Sequence, residues 1–92
     1  MTSNKIRLGV NIDHIAFIKT SRETMYPNLL DAVRLSEDAG ADLITIHLRE
    51  DRRHIQDKDA LDIRDCAKVL NFEMANTREM IDFAINLKPD FC

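Results

Sequence analysis

An α/β fold of parallel strands is predicted by three features of the sequence. Strand-like and helix-like segments alternate in the order βαβαβαβ. Each strand has one apolar face and one face that turns polar toward its C-terminal end. No Pro/Gly/Ser linker, low-complexity tract or obvious repeat divides the 92 residues. Parallel strands need helical crossovers, and these run right-handed. A doubly wound sheet and part of a (β/α)8 barrel both satisfy this order. Strands covered on both faces usually read as continuous Val/Ile/Leu runs, which these do not. A polar C-terminal mouth is a property of barrels. The expectation is a single segment, residues 1–92, whose βαβαβαβ order and polar strand ends fit part of a parallel (β/α)8 TIM barrel.

The elements follow in chain order. Ile6-Arg-Leu-Gly-Val-Asn-Ile-Asp13 alternates at period two, with Leu8, Val10 and Ile12 against Gly9, Asn11 and Asp13, and predicts the first strand. Lys19 to Pro27 lacks helical periodicity and reads as a loop, with Pro27 restricting the residue before it. A helix starts near Asn28, carries Leu29, Ala32, Val33 and Ser36 on one stripe, and stops at Gly40 in a C′ position. Leu43 to Arg49 is the second strand, with Ile44, Ile46 and Leu48 against Thr45, His47 and Arg49. Glu50 to Gln56 reads as a charged loop, and Asp57 as the N-cap of a helix whose stripe is Ile63, Cys66, Ala67 and Leu70. Asn71 to Met74 is a third strand. Asn76 with Glu79 makes a variant capping box for a helix with the stripe Met80, Ile81, Ala84 and Leu87. Lys88-Pro89 ends that helix, and Asp90-Phe-Cys92 begins a fourth strand.

Composition narrows the function. Thirteen Lys+Arg against 16 Asp+Glu leave a formal charge of −3, which provides no footprint for nucleic acid. With 45% hydrophobic and 32% charged residues the chain is expected to fold rather than stay disordered. No run approaches the roughly 18 apolar residues of a membrane span, and Met1 to Lys5 forms no apolar signal core, so a cytoplasmic protein without membrane contact is expected. Cys66 and Cys92 show neither disulfide-framework nor zinc spacing and read as ordinary thiols.

In parallel α/β folds, functional groups gather at the C-terminal strand ends and in the loops that follow. Here the strand ends supply Asn11, Asp13 and His14, then His47 and Arg49, then Glu73. A sheet with one solvated face would carry similar residues without function. His47 suits proton transfer, because an imidazole works in either direction at neutral pH; otherwise it is a core histidine satisfied by a neighbour. Glu73, between Phe72 and Met74, is a candidate base or, alternatively, the ion-pair partner of Arg49. Leu48-Arg-Glu-Asp-Arg-Arg-His54 places three arginines and a histidine at a strand–helix junction, where guanidinium groups match phosphate oxygens. Glu50 and Asp51 could instead pair with Arg52 and Arg53. Asp13, His14, His47, His54 and Glu73 could also serve as metal ligands in a metal-dependent barrel hydrolase. The sequence lacks His-x-His and His-Glu-x-x-His clusters, so no metal is expected.

Gly9-Val-Asn-Ile-Asp-His-Ile-Ala16, Ala39-Gly-Ala-Asp42, Ile44-Thr-Ile-His-Leu-Arg-Glu-Asp-Arg-Arg-His-Ile55, Asn71-Phe-Glu-Met-Ala75 and Lys88-Pro-Asp-Phe91 occur in order along nearly the whole chain. Together they resemble the N-terminal part of the pyridoxine 5′-phosphate synthase family, and the His-Leu-Arg-Glu-Asp-Arg-Arg-His run is the most specific of them. The resemblance implies a cytoplasmic (β/α)8 barrel of vitamin B6 biosynthesis, homo-oligomeric (an octamer in the family), working without metal or organic cofactor. It also implies that the segment is the N-terminal portion (βαβαβαβ) of that barrel, incomplete without the C-terminal strands and helices. Its small phosphorylated substrates would be 3-amino-2-oxopropyl phosphate and 1-deoxy-D-xylulose 5-phosphate, condensed to the pyridine ring with release of phosphate and water. Carried over by motif, His47 and Glu73 are proton acceptors. Asn11 and Arg22 bind the aminoketone phosphate, and Asp13, His14, Arg49 and His54 bind the deoxyxylulose phosphate.

Two departures stand out. Glu23 occupies a position where family members usually have Gly, and Asn28-Leu29 replaces an Asp-Pro pair, so the role of Arg22 is the carry-over most affected. A (β/α)8 barrel also needs roughly 200 residues or more. The family's later strands hold a proton-donating histidine and glycine-rich phosphate contacts, so the 92 residues alone are expected to be inactive and poorly stable as a monomer, with open sheet edges. The contrasting expectation is a small phosphate-binding or interaction module without catalysis.

Overall fold

Alternate side chains of the central strand decide the layout. The computed structural model describes residues 5–23 and 26–92. Its elements run β1 (Gly9–Asn11), α1 (Asp13–Ser21), α2 (Leu29–Asp38), β2 (Leu43–His47), α3 (Asp57–Cys66), β3 (Leu70–Glu73) and α4 (Arg78–Leu87). The sheet has the order β1-β2-β3 with every pairing parallel. Val10 pairs with Ile44 and Asn11 with Thr45; Ile46 pairs with Phe72 and His47 with Glu73.

Ile44, Ile46, Leu48, Leu70 and Phe72 are wholly buried, joined in one core by Leu29 and Val33 of α2, Ala60 and Ile63 of α3, and Met80 and Leu87 of α4. Their neighbours Asn11, Thr45, His47, Asn71 and Glu73 lie on the opposite face, exposed or half-buried. Among the described residues, then, helices cover one face only, whereas a doubly wound sheet is covered on both. No helix among them is long and apolar enough to cross a membrane.

The helix stops obey local chemistry. Asn28 caps α2 by accepting from the Leu30 and Asp31 N–H groups. At its other end Gly40, at φ 111°, donates to the Glu37 carbonyl and Ala41 to that of Ser36, the bond pair of a Schellman motif at the expected C′ glycine. Helix α4 ends on Lys88 in the left-handed region, followed by Pro89.

Four expectations need correction. The first strand shortens from Ile6–Asp13 to Gly9–Asn11, and Asp13–Ser21 forms a helix that takes Lys19 to Ser21 from the start of the expected Lys19–Pro27 loop; Thr24 and Met25 within that loop, like Met1 to Asn4, lie outside the described residues. Only Asp13 and Ala16 of α1 are buried while Phe17 and Ile18 are exposed, so no apolar stripe advertised it. The available signal was electrostatic: Asp13 in the first turn and Lys19 in the last. Gln56, not Asp57, is the N-cap of α3, because Asp57 is held by Arg52 and the Gln56 N–H is taken by Asp59 Oδ2 at 2.9 Å. Thr77, not Asn76, caps α4 through its hydroxyl, and Glu79 leaves the expected capping box to reach Arg52. Leu70, expected on the α3 stripe, belongs to β3.

The fourth strand begins as expected. Phe91 bridges Asn71 in parallel, and its carbonyl accepts from the Phe72 N–H at 2.9 Å. Asp90 anchors this start: its Oδ2 accepts from the Leu70 N–H and from Arg64, both at 2.8 Å, and its own N–H donates to the Leu70 carbonyl. Asp42 does the same two units earlier, accepting from the Leu8 N–H at 2.7 Å and donating its own N–H to the Leu8 carbonyl. The Leu70 N–H, then Arg64, hold the Asp90 carboxyl below its ordinary value of 3.8. A depressed carboxyl stabilises the fold above its unfolded value and loses that contribution as pH falls through the folded one. Asp90→Asn is expected to lower stability at pH 7 and to flatten the loss of stability below about pH 4. Urea unfolding at both pH values measures this, and equal acid sensitivity in the two proteins would contradict it.

Candidate active site at the C-terminal edge of the sheet

Period-two alternation brings the polar residues of separate strands onto one surface. Asn11, Thr45 and Asn71 form one register row, and His47 and Glu73 pair in the next row toward the strand ends. Asn71 Nδ2 donates to Thr45 Oγ1 at 3.3 Å. An imidazole and a carboxylate from two strands therefore stand side by side above a row of amide and hydroxyl groups. The Glu73 side chain is exposed and makes no hydrogen bond or ion pair among the described residues; Arg49 pairs not with it but with Asp51, at 3.3 Å.

Asp13 ties this surface together. Its Oδ1 accepts from the His47 N–H at 3.0 Å and its Oδ2 from Asn11 Nδ2 at 3.0 Å, while its own N–H donates to Asn11 Oδ1 at 2.7 Å. Asp13 as a whole is only 6% exposed. One residue thus fixes the Asn11 amide and the backbone beneath the His47 imidazole.

Beyond β2, an open cleft of about 310 Å³ is lined by His47, Arg49, Glu50, Asp51 and Ala75. The Arg53 N–H, then Arg49, hold the Asp51 carboxyl below its ordinary value. The expected pairing of Glu50 and Asp51 with Arg52 and Arg53 is half met. Asp51 takes Arg49 and Arg53, but Arg52 goes to Asp57 and Glu79. A second cluster lies beside the first, where the His14 and His54 rings stand 5.9 Å apart and Phe17 meets His54 edge-on at 5.3 Å. Thr20 Oγ1 donates to the His54 carbonyl at 3.3 Å, fastening α1 to this loop.

Arg22 is not brought to the strand ends. It is the C-cap of α1, exposed, a helix of nine residues away from Asp13, or about 14 Å at 1.5 Å per residue. Glu23 beside it has φ 52°, in the left-handed region that glycine adopts without penalty. The glycine usual there in the resembled family thus has a backbone reason, and Glu23 holds the same geometry under strain. Sequence reasoning missed Thr45 and Asn71, which only the parallel register places beneath the candidate bases. Among the described residues no group of three His, Cys, Asp or Glu side chains is placed to hold a metal ion.

A family model described as pyridoxal phosphate biosynthesis protein PdxJ matches residues 8–92. The curated pyridoxine 5′-phosphate synthase of Thioalkalivibrio sulfidiphilus is 54% identical over 92 residues, which cover 99% of this chain and 37% of the relative. Proteins of the same name from Geotalea uraniireducens and Gloeothece citriformis are 55% and 54% identical over 87 residues, covering 94% of this chain and 36% of each relative. The chain spans a little over a third of the length of the curated relatives it matches, as the 37% coverage shows.

The Asp13 bonds make a stability forecast that is independent of any activity. Asp13→Ala strips the His47 N–H of its partner and is expected to cost about 1–3 kcal/mol. Arg53→Ala, at an exposed side chain, should stay within about 0.5 kcal/mol. Denaturant unfolding of both variants checks the contrast, and equal stabilities would refute the anchoring role.

Proposed function

The chain belongs to the pyridoxal phosphate biosynthesis protein PdxJ family, and on that premise we propose that the protein acts as a pyridoxine 5′-phosphate synthase. Its substrates are 3-amino-2-oxopropyl phosphate and 1-deoxy-D-xylulose 5-phosphate. The registered pair His47 and Glu73, on an open polar surface at two adjacent strand ends, carries the reading.

Condensing an aminoketone with a ketose to an aromatic ring expels water and phosphate, and each new double bond requires a proton to leave nitrogen or carbon. Two bases on one face can divide those transfers. Glu73, its side chain exposed and unbonded among the described residues, takes a proton from substrate carbon. His47, its backbone fixed by Asp13, relays protons at neutral pH. Asn11, oriented by Asp13, binds the aminoketone phosphate with Arg22, which reaches the site only if its loop folds back over the strand ends. Arg49, lining the cleft, and His54 with its neighbour His14 receive the deoxyxylulose phosphate, while Asp13 offers the remaining acceptor capacity of its oxygens to the ketose hydroxyls.

In this reading the strands described form the first part of a (β/α)8 barrel, in a homo-oligomeric cytoplasmic enzyme that needs no metal or organic cofactor. One-sided helix cover and the polar inner face support the barrel. In the same reading the 92 residues by themselves do not turn over, because a ring-closing site needs an opposite wall. The test is formation of pyridoxine 5′-phosphate from the two substrates by the full-length protein. Glu73→Gln keeps the shape and removes the base, so turnover is expected to fall roughly 10²-fold or more. Absence of product with the unaltered protein, or unchanged turnover in the variant, would overturn the assignment.

A further inference from the structure

The loop from β2 to α3 is wound around one guanidinium. Arg52 sits in it at φ 53°, with its side chain 25% exposed. Nε donates to Asp57 Oδ1 at 2.6 Å, and Nη2 donates to Asp57 Oδ2 at 3.4 Å and Glu79 Oε2 at 3.0 Å. Nη1 donates to the Glu50 carbonyl at 3.0 Å and the Arg49 carbonyl at 3.3 Å. These contacts use all five N–H donors of the side chain. The backbone closes the same knot, since the Arg52 N–H donates to the Arg49 carbonyl at 3.0 Å and its carbonyl accepts from Gln56 Nε2 at 2.7 Å. Hydrogen bonding to Asp57, then Glu79, holds the Arg52 guanidinium firmly protonated.

Three segments meet at this cation: the loop leaving β2 through Arg49 and Glu50, the first turn of α3 through Asp57, and the first turn of α4 through Glu79. Arg49 and Arg53, by contrast, share a single surface carboxylate, Asp51. Of the arginines in the run, Arg52 has no donor left for a ligand, while Arg49 lines the cleft. We propose that Arg52 is a positioning residue: it sets the loop so that Arg49 and His54 meet the phosphate of the ketose substrate, and through Glu79 it fixes the distance from that loop to the one following Glu73. This rests on the functional reading above and adds to it the residue that shapes one of its two phosphate sites.

The test uses the full-length protein with Arg52→Lys and Glu79→Gln. Lysine keeps the charge but cannot form a planar fork between two carboxylates and two carbonyls. Arg52→Lys is expected to raise KM for the ketose phosphate about tenfold, with KM for the aminoketone phosphate and kcat within about threefold of wild type, a split that a general loss of folded protein does not produce. Glu79→Gln, at an exposed carboxylate, should move the same KM in the same direction by about threefold. Equal KM shifts for both substrates, or none, would overturn the proposal. If Arg52→Lys melts below the assay temperature, Glu79→Gln alone decides. Titration with inorganic phosphate, followed by the His54 imidazole NMR signal, reads the site without turnover: wild type should bind about tenfold more tightly than Arg52→Lys. Wild-type phosphate binding without product would count against the synthase reading alone, whereas equal affinity in the two proteins, or no affinity in the wild type, would count against Arg52.

Discussion

The period-two alternation of β2 is the constraint on which the other features rest. Ile44 and Ile46 are wholly buried, while Thr45 and His47 face away from the helices. A register slip of one residue would drive His47 into the core and Ile46 into solvent, so apolar burial selects the pairing that also sets His47 beside Glu73. Placement of the candidate bases is thus a by-product of core formation and needs no separate stabilising interaction. At roughly 25 cal/mol per Å² of apolar surface, the buried Ile44, Ile46, Leu70 and Phe72 side chains dominate any contribution from the polar row opposite.

Short parallel strands leave backbone N–H groups beyond their ladders, and the acidic residues of this chain meet that need. Leu8, His47, Lys68 and Leu70 donate their N–H groups to Asp42, Asp13, Glu37 and Asp90, respectively. Asp42 and Asp90 each precede a strand and clamp the strand before it through the same pair of backbone contacts, so Gly-Ala-Asp42 and Lys-Pro-Asp90 are structural equivalents without being a visible sequence repeat. The excess of acidic residues is therefore spent in part on backbone donors, where a carboxylate makes a stronger bond than a neutral acceptor. It marks strand junctions more than it marks a partner's charge.

How much of this could be read from the sequence depended on whether a residue's role is local. Strand faces, the Asn28 and Gly40 boundaries of α2 and the parallel start at Phe91 follow from spacing and turn chemistry, and the structure has them. Helix α1 was invisible because its exposed Phe17 and Ile18 break the apolar stripe. The caps of α3 and α4 were each misplaced by one residue for a single reason: Asp57 and Glu79, attractive as local capping groups, are drawn away by Arg52, a partner that neither helix contains. Long-range charge pairing won over local capping, and no pattern within either helix could have revealed it.

The same competition explains why an arginine-rich run is ambiguous until it is folded. Arg49, Arg52 and Arg53 are equivalent by composition, yet a left-handed backbone at Arg52 turns one guanidinium inward onto two carboxylates and two carbonyls. With that residue saturated, only those that retain exposed donors can meet a ligand, and of these Arg49 faces the cleft beside His47. Stability and chemistry are thereby assigned to different members of one motif. Asp13 is the exception among the candidate site residues, because its buried carboxylate serves both the His47 backbone and the Asn11 amide. Changes at Glu73 or Arg49 can be read as effects on the site, whereas a change at Asp13 must first be corrected for the stability it removes.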